Sequence, residues 1–323
     1  MTNGTPQVSV LMPMRNAEQF VGEALRSLLY GQDVDLEVVV VDDGSTDGSR
    51  DVIARLNDAR VRVVDGPQTG VAGAFNAGLA EVRAPIVVRC DADDRYEPGR
   101  LAWQTAWLNS HSDFGAICGT FATMTGAGHL LTHMNTGECE EEITAEFLAG
   151  KTRTHMCTFA IRTDVLRSIN GCRPYFVTSS DIDLQLRVGH ACRVWYAPRN
   201  CYWYRLHDDS ITHTKRAAER IFFDETARVF SRQRAETGAD DLDRGCAAPP
   251  PASNGSLPLS VVEQMQDILR GQSWREHHQG RKARAVWIGM RACMMRPTKA
   301  SIWKSLAALI CKTPRCRKGG AQD

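Results

Sequence analysis

Leu36-Glu-Val-Val-Val-Val-Asp-Asp-Gly-Ser-Thr-Asp-Gly-Ser49 decides the fold. An unbroken apolar run too short for a helix and rich in β-branched residues reads as a strand covered on both faces. It closes on two carboxylates and a glycine, then enters a turn in which Ser45 or Asp47 can cap a helix carrying Val52, Ile53 and Leu56. The same alternation extends both ways. Val8 to Met12, Val61 to Val64 and Ile86 to Val88 are further strand-like runs. Ala17 to Tyr30 puts Phe20, Val21, Ala24, Leu25, Leu28 and Leu29 on one helical stripe, with Asn16 ahead of it as the expected N-cap. Val71 to Val82 predicts a helix of small residues. Strand and helix in turn predict an α/β fold, a Rossmann-like, mostly parallel sheet flanked by helices, with ligands at the carboxyl ends of the strands.

Farther along, the reading gives a helix from Leu101, an acidic helix over Glu140 to Leu148 and another over Ser179 to Val188. Strands are expected at Val194 to Ala197 and Cys201 to Leu206, then a long helix over Lys215 to Arg234. The Ala-Ala-Pro-Pro-Pro-Ala-Ser-Asn-Gly-Ser run from Ala247 has linker composition. The expected organisation is therefore a catalytic domain over 1–239, a linker over 240–260 and a helical C-terminal appendage over 261–323.

Lys+Arg 39 against Asp+Glu 38 leaves a formal charge of +1, so no global field favours nucleic acid or membrane. One local field exists: residues 281 to 318 carry eleven basic side chains and no acidic one. Such helices, interleaved with Trp287 and Trp303, suit an anionic membrane surface. Equally, they can cap the catalytic domain with a solvated basic face, and nucleic acid is a third reading, placed behind these two. The 11 cysteines are scattered without a C-x-x-C pair, which argues against a zinc site or a disulfide framework and for a reducing compartment. Without a secretory signal or a membrane-spanning run, the expectation is a cytoplasmic protein, peripheral at most to the inner face of the membrane.

The chemistry concentrates in Arg89-Cys-Asp-Ala-Asp-Asp94, directly after a strand. Three carboxylates in four positions repel one another unless a cation sits among them. Mg²⁺ is commonly held by one or two carboxylates together with substrate phosphates, so Asp91 and Asp93 read as a diphosphate–metal site. The alternative is an acidic loop ahead of the next helix. Asp42 and Asp43 end the neighbouring strand, and a carboxylate there can accept hydrogen bonds from a nucleobase or ribose.

Taken in order, Val8-Ser-Val-Leu-Met-Pro-Met-Arg-Asn16, Glu37 through Ser49, Gly70 through Asn76-Ala-Gly-Leu79 and Asp91-Ala-Asp-Asp94 resemble a family 2 glycosyltransferase with the GT-A fold. Ser180-Asp181-Ile-Asp183 and Tyr204-Arg-Leu-His207-Asp-Asp-Ser-Ile-Thr212 extend the resemblance to residue 212. It implies a nucleotide-sugar donor held by Pro13, Asn16, Asp43, Asn76, Asp91 and His207. It also implies a Mg²⁺ or Mn²⁺ cofactor on Asp91 and Asp93, and Asp181 as general base, with Asp183 close enough to compete. Implied too are inverting transfer to a glycan or lipid-linked acceptor in cell-surface polysaccharide biosynthesis, and no nucleic-acid partner. Ser180 stands where the family usually has Glu, Arg15 where it often has Tyr, Gln68 for a frequent Asn and Phe75 for a common Arg.

Two other readings remain. A nucleotidyltransferase also uses acidic pairs on an α/β sheet, but Pro13-Met-Arg-Asn16 lacks the glycines and lysine of a phosphate loop. An inactive sugar-nucleotide-binding module is the other, left open by Ser180 and Phe75. Trp103 and Trp107 are expected in the core, and Tyr202, Trp203 and Tyr204 in the sheet, with an aromatic floor to the acceptor site as the alternative; beyond His207 no histidine is given a role.

Overall fold

The computed structural model describes residues 4–134, 136–210, 217–250 and 260–313. Its first half follows the predicted alternation: β1 (Val8–Met14), α1 (Val21–Leu29), β2 (Leu36–Asp42), α2 (Ser49–Leu56), β3 (Val61–Asp65), α3 (Val71–Glu81) and β4 (Ile86–Arg89). These strands lie side by side in the order β3-β2-β1-β4, all parallel, with Val10 level with Val38 and Val88. Every residue of β1, β2 and β4 is buried, as their unalternating sequences require. Val10, Met12, Val38 and Val40 face the α1 side, whereas Leu11, Val39 and Val41 face α3. Close approach of α3 depends on Gly78, where a Cβ would sit 2.8 Å from Leu11 Cγ and 2.9 Å from Val41 Cγ2. That explains the small residues of this helix.

Past β4 the sheet turns mixed. β5 (Arg95–Tyr96), α4 (Arg100–Ser110), β6 (Ala116–Thr125), β7 (Leu130–Met134), β8 (Glu141–Glu142), α5 (Thr144–Leu148), β9 (Ala160–Arg162), α6 (Thr163–Ser168), α7 (Ser180–Ala191) and β10 (Val194–Leu206) follow. β9 runs antiparallel between β4 and β6, and β6 pairs in parallel with β10. The two strands expected before Leu206 are one, β10, whose register shifts between Tyr196 and Tyr202 around Pro198. The expected acidic helix over Glu140 to Leu148 is instead β8 and the single-turn α5, because Glu141 and Glu142 pair with Trp195 and Tyr196 of β10.

α8 (Ala217–Thr237) packs on α7 and α5. After it, Asp240 is wholly buried, Leu242 and Ala247 pack on the core, and Tyr175 Oη donates to the Ala248 carbonyl. Residues 240–248, expected as linker, thus lie against the catalytic domain, and 251–259 fall outside the described residues. α9 (Val261–His278) starts in a capping box between Ser260 and Glu263, and α10 (Lys282–Met295) and α11 (Ala300–Cys311) follow. This helical appendage buries Leu269, Ile288, Ile302 and Leu306 in a cluster that includes Leu131 of β7 and Leu206 of β10. No described helix is long and apolar enough to cross a membrane. The ten described cysteines are free.

Candidate active site

At the carboxyl ends of β1, β2 and β4 lies a cleft of about 1120 Å³. Three strand-end loops form its floor, bringing Pro13 and Asn16, then Asp43, then Asp91 and Asp93 to one place, while α7 supplies Asp181 and the end of β10 supplies His207. Seven of the eight residues singled out in the sequence therefore line one cavity. Asn76 does not. Its Nδ2 donates to the Cys172 carbonyl and its Oδ1 accepts from Cys172 N–H, both at 2.8 Å, so its amide pins α3 to the loop before α7.

Each loop is held by its own side chains. Asn16 adopts φ of 50° and does not cap α1, which begins only at Val21. Its N–H donates to Ser45 Oγ at 2.9 Å and its Oδ1 accepts from Thr46 N–H at 2.8 Å, tying the first loop to the second. Asp47 accepts from Ser49 N–H at 3.1 Å and Glu18 N–H at 3.0 Å, yet the N-cap of α2 is Gly48, so neither Ser45 nor Asp47 takes the capping position expected of it. Asp43 accepts from Gln68 N–H at 2.6 Å and Gly70 N–H at 2.8 Å, one per carboxylate oxygen. Each oxygen keeps a second lone pair for a ligand. Asp42 pairs with Arg50 and accepts from Ser45 N–H. Burial pushes its pKa up, but the Ser45 and Arg50 hydrogen bonds outweigh this and hold it below the usual carboxylate range.

The three carboxylates after β4 have three different environments. Asp91 accepts from Arg89 Nε at 2.7 Å, and Asp93 Oδ2 lies 2.8 Å from His207 Nε2. Asp94 turns inward, 1% exposed, accepting from Tyr202 Oη at 2.5 Å and Arg205 N–H at 2.6 Å. Burial, with repulsion from Asp93 and Asp91, drives its pKa well above the ordinary value. It is a structural carboxyl. Arg205 in turn donates to the Asp93 carbonyl and Glu23, and its guanidinium stacks over Phe20, whose ring lies 4.7 Å from that of His207.

Asp181 and Asp183 occupy the first turn of α7 but meet different surroundings. Asp181 lines the cleft. Asp183 is wholly buried, accepts from Arg187 Nε at 2.8 Å and pairs with Arg173, which also donates to Asp240 at 2.7 Å. Asp183 is thus held in a buried ion-pair cluster and is not among the residues that line the cleft. Breaking a buried ion pair leaves an uncompensated charge at a cost of about 3–5 kcal/mol. Asp183→Ala should accordingly lose stability of that order in denaturant unfolding, whereas Asp181→Ala should stay within about 0.5 kcal/mol of the parent.

His155 also lines the cleft, although the sequence gave no reason to single it out. Cys157 N–H donates to its Nδ1 at 3.3 Å, and burial lowers its pKa. The neutral ring therefore carries its proton on Nε2. Asp224 of α8, bonded to Ser179 beside Asp181, is a second unforeseen carboxyl, and burial raises its pKa. Trp107 stacks on Trp195 in the core, and Tyr202 is buried in the sheet, as expected. Thr212, within the resembling segment, lies outside the described residues.

Among the described residues no three His, Cys, Asp or Glu side chains are gathered to hold a metal by themselves. Asp91 and Asp93 beside His207, whose buried Nδ1 has no partner, nonetheless fit the protein's share of a hard divalent ion completed by ligand phosphates.

Comparison with known proteins agrees with this geometry. Residues 9–169 match the family described as glycosyl transferase family 2. An uncharacterized glycosyltransferase of Nostoc sp. is 38% identical over 98 residues, 29% of this chain and 30% of that protein. The hyaluronan synthase of Pasteurella multocida is 27% identical over 217 residues, 66% of this chain and 22% of that enzyme. The chain thus spans under a third of the length of these relatives. Among solved structures, S. aureus TarS 1–349 in complex with UDP superposes with a TM-score of 0.57 at 17% identity, covering 94% of this chain and 90% of that one. The likeness establishes a shared GT-A fold. With the family match running from β1 to the end of α6, over the three loops that floor the cleft, the chain belongs to glycosyl transferase family 2.

Proposed function

We propose that the protein transfers a sugar, with inversion, from a nucleoside-diphosphate donor to a hydroxyl of a glycan or lipid-linked acceptor in cell-surface polysaccharide assembly. The observation that carries this reading is the convergence of Asp43, Asp91, Asp93, Asp181 and His207 on one cleft at the ends of parallel strands. TarS structures hold UDP and UDP-GlcNAc, which makes a uridine nucleotide the first donor to test.

In this reading Asp43, braced by the backbone of Gln68 and Gly70, accepts from the nucleobase, and Pro13 and Asn16 shape the wall beside it. Asp91 and Asp93 face the ribose and the diphosphate, with His207 next to Asp93. A divalent cation bound there supplies Lewis-acid stabilisation of charge on the leaving phosphate oxygen. Asp181 approaches from the α7 side and takes the proton of the acceptor hydroxyl as its oxygen bonds to the anomeric carbon. The bond from that carbon to the phosphate oxygen breaks, its electron pair leaves with the diphosphate, and attack from the opposite face inverts the centre.

A panel of nucleotides and nucleotide sugars, each with and without Mn²⁺, tests the donor side by thermal shift. A ligand at 100 times its Kd stabilises by about 2.7 kcal/mol if it binds only the folded state. One nucleoside diphosphate and its sugars should raise Tm, and chelator should remove the gain. No shift with any nucleotide would overturn the reading.

A further inference from the structure

Among the described residues, the C-terminal helices bury one face and leave the other uncovered. α10 packs Ile288, Ala292 and Cys293 inward, and α11 packs Ile302, Leu306 and Leu309. Facing outward are Trp287, Met290 and Met294 of α10, spaced i, i+3, i+7, at 55%, 44% and 68% exposure. On α11 Trp303 and Ile310, seven apart, are 47% and 50% exposed. The four-residue link from Arg296 to Lys299 and the contact of Gly289 with Leu306 and Leu309 make the two helices adjacent and antiparallel.

Around these apolar stripes α10 and α11 themselves carry charge of one sign, with Arg281, Arg284 and Arg296 paired to Glu276 or Glu263 of α9 and Arg291, Lys299 and Lys304 outside any ion pair among the described residues. Every charged residue from Arg281 to Lys312 is basic. Arg291 lies over the Trp287 ring at 4.9 Å, and Lys304 is exposed beside Trp303. A second copy of the chain meeting this face about a two-fold axis would set like charges against each other. An acyl–headgroup boundary with anionic lipid accepts both features: Trp rings and methionines enter the apolar layer while Arg and Lys reach phosphates.

We infer that the uncovered face of α10 and α11 is a docking surface for an anionic phospholipid bilayer, on which the enzyme lies without crossing it. Tyr204, which lines the cleft, also packs against the inner cluster of these helices, so the appendage that carries the docking face adjoins the active site. A lipid-linked acceptor would then be presented where it is used. Docking stands apart from the transfer reaction, since vesicles without any acceptor suffice to test it.

The full chain is sedimented with sucrose-loaded vesicles of phosphatidylcholine alone or of equal phosphatidylcholine and phosphatidylglycerol. Binding to the anionic vesicles should exceed binding to the neutral ones by at least about tenfold and fall as salt rises. Trp287→Ser/Met294→Ser removes exposed apolar contacts, and Lys299→Glu/Lys304→Glu reverses charge at two residues with no ion pair among the described residues. Trp287, Met294 and Lys304 are exposed and Lys299 is half-buried at the start of α11, so circular dichroism should match the parent while anionic-vesicle binding drops at least about tenfold. Equal binding to both vesicle types, or retention by both folded variants, overturns the inference. So does a parent dimer in light scattering that Trp287→Ser/Met294→Ser makes monomeric, with no vesicle binding by either. Loss of vesicle binding with intact transfer to a soluble acceptor would leave the transferase reading untouched.

Discussion

Asp93→Ala is expected to lower sugar transfer by at least about 10³-fold and to abolish the dependence of nucleotide binding on Mn²⁺, with the protein still folded. The size follows from what the carboxylate does: removing a fixed electrostatic contact to charge that grows in the transition state typically costs about 10²–10³, and this one would also anchor the cation. Folding should survive because Asp93 sits at the cleft and, among the described residues, its side chain bonds only to His207. Asp94→Ala offers the contrast. It strips buried Tyr202 and Arg205 of their partner and should destabilise the fold. Titration calorimetry of a nucleoside diphosphate with and without Mn²⁺, beside a transfer assay, checks both halves. Unaltered Mn²⁺-dependent binding by Asp93→Ala would move the cation elsewhere.

The second large effect belongs to Asp181. Asp181→Asn keeps shape and hydrogen bonding but cannot take a proton, so donor affinity should remain while transfer falls by about 10²–10⁴-fold. If the chemical step is rate-limiting, the loss appears in kcat and leaves the donor KM nearly unchanged. Slow hydrolysis of the nucleotide sugar in the absence of acceptor should fall as well, because water attacking in the acceptor's place must lose its proton to the same carboxylate. Normal transfer by Asp181→Asn would shift attention to Asp224, which lies beside Ser179 at the start of α7.

The floor of the cleft was legible because strand ends are local features. Buried β-branched runs followed at once by Asp43, or by Asp91 and Asp93, fix both the strand and the direction in which its loop opens. Asp181 against Asp183 was decidable in principle. Residues two apart on a helix point about 200° away from each other, so one at the cleft puts the other in the core. What spacing cannot give is a partner far along the chain. Asn76 is claimed by Cys172, ninety-six residues away, and Asp240, in a segment of linker composition, by Arg173, sixty-seven away. His155 escaped for the same reason, arriving from a loop ahead of β9 with no motif around it. Asn16 looked like a cap because it precedes an apolar stripe, yet the chain uses it to join two cleft loops and starts the helix five residues later.

The central claim is that the carboxylates after β4 meet a divalent ion and a nucleoside diphosphate in this cleft. A crystal structure with Mn²⁺ and the nucleotide that raises Tm most tests it directly, because anomalous scattering locates manganese independently of any fitted ligand. The account predicts an anomalous peak bonded to Asp93 and to diphosphate oxygens, with the base beside Asp43. A nucleotide bound with no manganese at Asp93, or bound away from Asp43, would contradict it.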